Sequence, residues 1–272
     1  MINTTAFRTM DKESQRVLLY CIIKESKIDP SNAVVASLLG SAMYELYIYR
    51  ALKIADYNIY SMEERPMEAI VAKKKGTEVQ IKAGKIEAYM YRTTMPFNIY
   101  SYDTINGIAE SVHLLELTLI KDNKGPIVIM TNNIPVRYSD ESKLLLQEVA
   151  KRHNIDRQKF YNTSDYNNKL IMMATLDVYK KYNYAISKFI PYEYKMNGTK
   201  GKYMCGVAAI VEKDEHELSD DYYAKFYEYK IRSCRNILRD DYFNIEWNKL
   251  RKQNNSECLA KLEEEAIQCQ QH

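Results

Sequence analysis

Apolar positions in the first forty residues recur at helical spacing. Val17, Leu18, Cys21 and Ile22 follow Asp11 as a short amphipathic stretch, and Asp29-Pro30 opens a second stretch carrying Val34, Val35, Leu38 and Leu39. A third helix is expected over residues 42–55, apolar nearly all round and therefore buried. The period then changes to two. Residues 57–61 and 68–73 read as short strands, Lys74-Lys75-Gly76 as a turn, and residues 77–83 as an alternating strand. Residues 105–119 read as a helix, and 127–131 form the continuous apolar run of a buried central strand. Ser139 caps a further helix, with Asp140 and Glu141 in its first turn and Lys151-Arg152-His153 at its end. A strand over 159–162 and a helix over 166–179 follow.

Beyond Ala185 the texture differs: one strand over 203–212, then two long polar helices over 219–238 and 243–269. The expected class is α/β, a mixed central sheet flanked by helices. It divides into N-terminal helices (1–40), a core (41–184) and a mainly helical C-terminal extension (185–272).

Composition narrows the chemistry. The 272 residues are 46% apolar and 28% charged, which is ordinary for a globular chain. Glycine occurs only 8 times, and neither G-x-G-x-x-G nor G-x-x-x-x-G-K-[ST] is present, so phosphate-cradling loops have little material. The net charge of +3 makes no polycation; nucleic acid would need a local patch. Five scattered cysteines without C-x-x-C suit a reducing cytoplasm better than disulfides or zinc. The N-terminus lacks the apolar core of a secretory leader, and no apolar run is long enough to span a membrane. The histidines His113, His153, His216 and His272 show no metal-ligand spacing.

The segment 68–85, EAIVAKKKGTEVQIKAGK, carries the most chemistry. Alternation places Glu78, Gln80 and Lys82 on one strand face. A hairpin pairing Glu68 with Gln80 or Lys82 would gather a carboxylate, an amide and an ammonium at one sheet end. Carboxylate and neutral oxygens, including the Ile81 carbonyl, suit Mg²⁺, while an ammonium can orient a water for phosphodiester hydrolysis.

With MYELYIYRALKIADYNIY before it, this segment resembles the PD-(D/E)xK, or restriction-endonuclease-like, nucleases, in particular the Mrr-type branch with a Q-x-K variant. The resemblance covers roughly residues 40–180, including GPIVIMTNN and SDESKLLLQEVAKRHNI. It implies Glu45, Glu68, Gln80 and Lys82 as catalytic residues. Glu68, Gln80 and the Ile81 carbonyl would hold Mg²⁺, or Mn²⁺ in its place. The activity implied is an endonuclease acting on DNA rather than RNA, in restriction or genome defence. Glu68 replaces the family's usual Asp and Gln80 its second acid, which motivates an alternative: a catalytically degenerate nuclease fold that binds nucleic acid or assembles with protein.

Lys73, Lys74, Lys75, Lys85 and Arg92 form a basic cluster suited to phosphate contacts, and Asn132, Asn133 and Arg137 could reach a groove or make turns. The last two helices carry Tyr223, Phe226, Tyr227 and Ile231, then Leu250, Leu259, Leu262 and Ala266. These predict a homodimer built on the C-terminal region, or a cover for the α/β layer.

Overall fold

Ile127–Asn133 (IVIMTNN) is buried at all seven positions, as a strand covered on both faces must be. In the computed structural model this strand lies inside a twisted sheet. The structure describes residues 10–28, 32–36, 56–60, 71–74, 77–82, 98–104, 107–121, 125–133, 139–195 and 203–240. The helices are α1 (Met10–Ser26), α2 (Ile108–Leu119), α3 (Asp140–Arg152), α4 (Thr163–Lys181), α5 (Asp220–Tyr227) and α6 (Cys234–Ile237). The strands are β1 (Asn32–Ala36), β2 (Asp56–Tyr60), β3 (Val71–Lys74), β4 (Thr77–Lys82), β5 (Ile99–Asp103), β6 (Ile127–Asn133), β7 (Tyr184–Lys195), β8 (Tyr203–Lys213) and β9 (Arg232–Ser233).

The strand order is β3-β4-β2-β1-β5-β6-β8-β7-β9. From β4 to β6 every neighbour is parallel; β8 then runs antiparallel between β6 and β7, and β3 pairs antiparallel with β4 at the far edge. The chain starts in the middle, builds outward through β2 and β4, then returns to place β5 on the other side of β1. The order therefore reverses between β1 and β5. One row of paired residues crosses seven strands: Lys82, Tyr60, Ala36, Tyr102, Thr131, Val207 and Pro191.

Side-chain alternation assigns the two faces. Ile127 and Ile129 join Tyr100, Tyr102, Val207 and Ala209 under α2, α3 and α4 in one large apolar core. On the opposite face Gln15 of α1 donates to Met130 Sδ at 3.2 Å, and Lys188 pairs with Glu25 of α1 at 2.7 Å. Much of the tyrosine content is structural. Tyr102 shares a 2.6 Å hydrogen bond with Thr118, and Tyr223 donates to the Tyr184 carbonyl at 2.9 Å.

The mixed α/β sheet with flanking helices agrees with expectation, but several elements differ. Residues 32–36, expected within a helix, form β1: the β-branched pair Val34-Val35 lies between two parallel partners, and a short apolar run alone does not separate strand from buried helix. The strand expected at 159–162 is instead a 3-10 turn, Arg157–Lys159. The tyrosine-rich stretch before α2 contains β5, and residues 184–195 form the long strand β7. The helix expected over 219–238 ends at Tyr227, with Tyr223 and Phe226 buried in this chain's own core. The helices expected over 42–55 and 243–269 lie outside the described residues.

Candidate functional site

In an open α/β sheet, ligands bind outside the carboxyl ends of the strands where the order reverses, because the crossovers on the two sides diverge and leave a crevice. Here that place lies between β1 and β5. Ala36, Tyr60, Lys82, Asp103 and Asn133 end their strands along the same rim.

One wall of the crevice is built from Thr104, Gly107 and the end of β6. Thr104 extends the ladder one residue past β5, its N–H donating to the Asn132 carbonyl at 3.0 Å. Its hydroxyl stands within reach of three acceptors: the Asn132 carbonyl at 3.0 Å, Asn133 Oδ1 at 3.1 Å and the Gly107 carbonyl at 3.4 Å. Gly107 caps α2 at φ 100°, a left-handed conformation that favours glycine. The starts of α2 and α3 meet here too, since Ala109 N–H donates to Ser142 Oγ at 3.1 Å.

Asn132 and Asn133 are both fully buried. The Tyr192 hydroxyl, reaching over from β7, donates to the Thr131 carbonyl at 2.8 Å and contacts Asn132 Oδ1. The side-chain oxygens of both asparagines are thus engaged, while both Nδ2 groups are buried with no partner among the described residues. A buried unsatisfied donor costs roughly 1–3 kcal/mol, which a ligand oxygen or ring nitrogen would recover.

The sequence-derived residues that the structure describes lie toward the β3 edge of the sheet. Gln80, Ile81 and Lys82 lie in β4, and Lys73 and Lys74 in the edge strand β3. Glu45, Glu68, Lys75, Lys85 and Arg92 lie outside the described residues. The register places Gln80 opposite Val71, not Glu68. Thr77, which pairs with Lys74 at the amino end of β4, lies roughly 17 Å from the rim at ~3.3 Å per residue. Among the described residues of this set, Lys82 ends β4 at the crevice rim. Asn132 and Asn133 carried a weak sequence signal as a polar pair ending an apolar run. Thr104 and Tyr192 carried none, because their roles arise from pairing across distant strands.

No protein-family model matches the chain, and no curated protein matches it either. Among solved structures it is similar to a candidate hemolysin from Streptococcus thermophilus (10% identity, TM-score 0.46, 90% of this chain and 78% of that one). It is also similar to spermidine synthase from Thermotoga maritima (8%, 0.41, 84% and 71%) and to TYW2 from M. jannaschii in complex with AdoMet (10%, 0.37, 76% and 78%).

The sheet topology overturns the nuclease expectation. The strand order is that of a Rossmann-like, doubly wound sheet with its reversal at β1 and β5, not of a restriction-endonuclease-like core. The Q-x-K strand is one parallel member of that sheet, and alternation of this kind is what a half-buried strand shows in any fold. The degenerate-nuclease alternative falls with the same fold assignment. The Mg²⁺ centre is likewise unsupported: among the described residues no group of three or more His, Cys, Asp or Glu could hold a metal ion. Among those residues no helix is long and apolar enough to cross a membrane.

Proposed function

We propose that this chain is an S-adenosylmethionine-dependent methyltransferase, or a related transferase, binding its cofactor in the β1–β5 crevice. The observation that carries this reading is a nucleoside-type reversal point without a phosphate loop. A dinucleotide's pyrophosphate needs a glycine-rich turn so that backbone N–H groups can approach it. The five residues following β1, Ser37-Leu38-Leu39-Gly40-Ser41, contain one glycine. S-adenosylmethionine, the ligand named with TYW2, is a nucleoside that bears no phosphate for such a turn to hold. Its carboxylate, ribose hydroxyls and adenine nitrogens are acceptors, which suits the unpartnered Nδ2 groups of Asn132 and Asn133. When bound, the cofactor supplies an electrophilic methyl group. The chain's part is to orient donors at the β6 wall and to keep that wall dry.

Nucleic acid is the acceptor class we propose. It is supported by Lys82 at the rim and by Lys85 three residues later in the sequence.

Calorimetric titration of the full chain with S-adenosylhomocysteine, NAD⁺ and ATP tests the cofactor assignment. Saturable binding of S-adenosylhomocysteine alone is expected. Binding of NAD⁺ or ATP without S-adenosylhomocysteine would overturn it.

A further inference from the structure

Away from the β1–β5 crevice, a cavity of about 380 Å³ lies between the first half of α4, the end of β7 and residues 228–231. That volume is in the range of small-molecule sites. Asp165 and Asn168 come from α4, Glu193 from β7, and Phe160 and Tyr229 supply aromatic surface.

The cavity is lined by three carboxylates, Asp165, Glu193 and Glu228, against two ammonium groups, Lys169 and Lys230. Glu193 accepts one hydrogen bond, from Asn168 Nδ2 at 3.1 Å. Asn168 is 1% exposed, lines the cavity, and its Oδ1 has no partner among the described residues. Among the described residues Glu193 forms no ion pair. Lys169 lines the same cavity; burial holds its ammonium below the usual range, and it donates to the Tyr227 carbonyl and interacts with Glu228. Glu228 and Lys230, the other charged lining residues, lie on the exposed segment after α5. Burial, and then the nearby charge of Asp165, hold the Glu193 carboxyl above its usual range.

We propose that this cavity binds a small organic cation through a primary ammonium group, with Glu193, Asn168 Oδ1 and Asp165 as acceptors. An ammonium has three N–H donors and no acceptor, which matches this set. Phe160 and Tyr229 would pack its alkyl part and favour the charge over their faces. A divalent metal fits less well, since no group of three or more His, Cys, Asp or Glu that could hold one occurs among the described residues.

The test is titration of the full chain with n-butylammonium chloride and, as neutral isostere, 1-butanol, followed by calorimetry and thermal unfolding. Butylammonium should bind saturably and raise the unfolding temperature, while butanol does neither. Glu193→Gln should weaken butylammonium at least tenfold. Asp165→Asn should weaken it about threefold; Asp165 is exposed, so this variant guards against a folding failure in the first. Equal binding of butanol and butylammonium, or unchanged affinity in both variants, would overturn the proposal.

Discussion

Gly206 lies directly opposite Tyr192 in the β7–β8 ladder, and the tyrosine hydroxyl crosses the space that a side chain at Gly206 would fill. A Cβ there would stand 1.7 Å from the Thr131 carbonyl oxygen and 2.8 Å from the Tyr192 hydroxyl. The absent side chain is what lets Tyr192 tie β7 to the end of β6, two strands away. Because Thr131 is backbone in a central strand, it cannot yield as a flexible side chain would. Gly206→Ala is therefore expected to cost about 3 kcal/mol or more, the upper end of overpacking, lowering the unfolding temperature by roughly 6–12 °C in a thermal melt. An unchanged melt would contradict this close approach.

Tyr192→Phe should act more mildly. It leaves the buried Asn132 Oδ1 and Thr131 carbonyl without that hydroxyl, a loss of roughly 1–3 kcal/mol by chemical denaturation. If the asparagine wall belongs to the cofactor site, S-adenosylhomocysteine affinity should fall in this variant as well, because Asn132 loses the group that orients it.

Asp177 on α4 gathers three donors: Arg152, His153 Nε2 at 2.8 Å and the Tyr227 hydroxyl at 2.7 Å. This joins the end of α3 to the end of α5 across α4. His153, expected to act as a cation on the α3 carboxyl end, caps that helix and also anchors it sideways. Asp177→Ala strands the Tyr227 hydroxyl in a partly buried setting and should cost about 2 kcal/mol, read as a fall of roughly 4–8 °C in unfolding temperature. Removing the carboxylate should also ease ionisation of Tyr227, whose phenol is pushed up first by burial and then by its bond to Asp177.

Glu193 should leave a signature in the pH dependence of stability. Its folded carboxyl sits above the unfolded value of 4.5, so the native state binds the proton more tightly than the unfolded chain does. Its contribution is most favourable below that value and is lost as pH rises through the raised native value. Glu193→Gln should therefore be more stable than wild type at neutral pH, with the gap closing in acid. Urea unfolding at two pH values measures this. The same variant is expected to bind butylammonium less well, so the two readouts move in opposite directions.

Lys82→Ala should weaken nucleic-acid binding across sequences and lower the salt slope by about one contact, with S-adenosylhomocysteine affinity unchanged. An unaltered salt slope would remove Lys82 from the proposed acceptor surface.

The sequence by itself determined the elements whose signals are local. Ser139 accepts the Ser142 N–H at 3.2 Å and starts α3 as its type and position predict, and the apolar run at 127 became the central strand β6. The alternating hairpin was legible for the same reason, since β4 shows its period within six residues. Tertiary structure decided the neighbours. Nothing local distinguishes the Val34-Val35 run as a strand from the same run in a buried helix until β2 and β5 flank it. Likewise Q-x-K reads alike in a nuclease hairpin and in a parallel strand of a doubly wound sheet. Strand order decides where a ligand crevice opens, and it is a long-range property: it depends on which strands return beside β1 after tens of residues of intervening chain. Thr104, Tyr192 and Gly206 illustrate the same point, because each takes its role from a residue that only sheet pairing brings within reach.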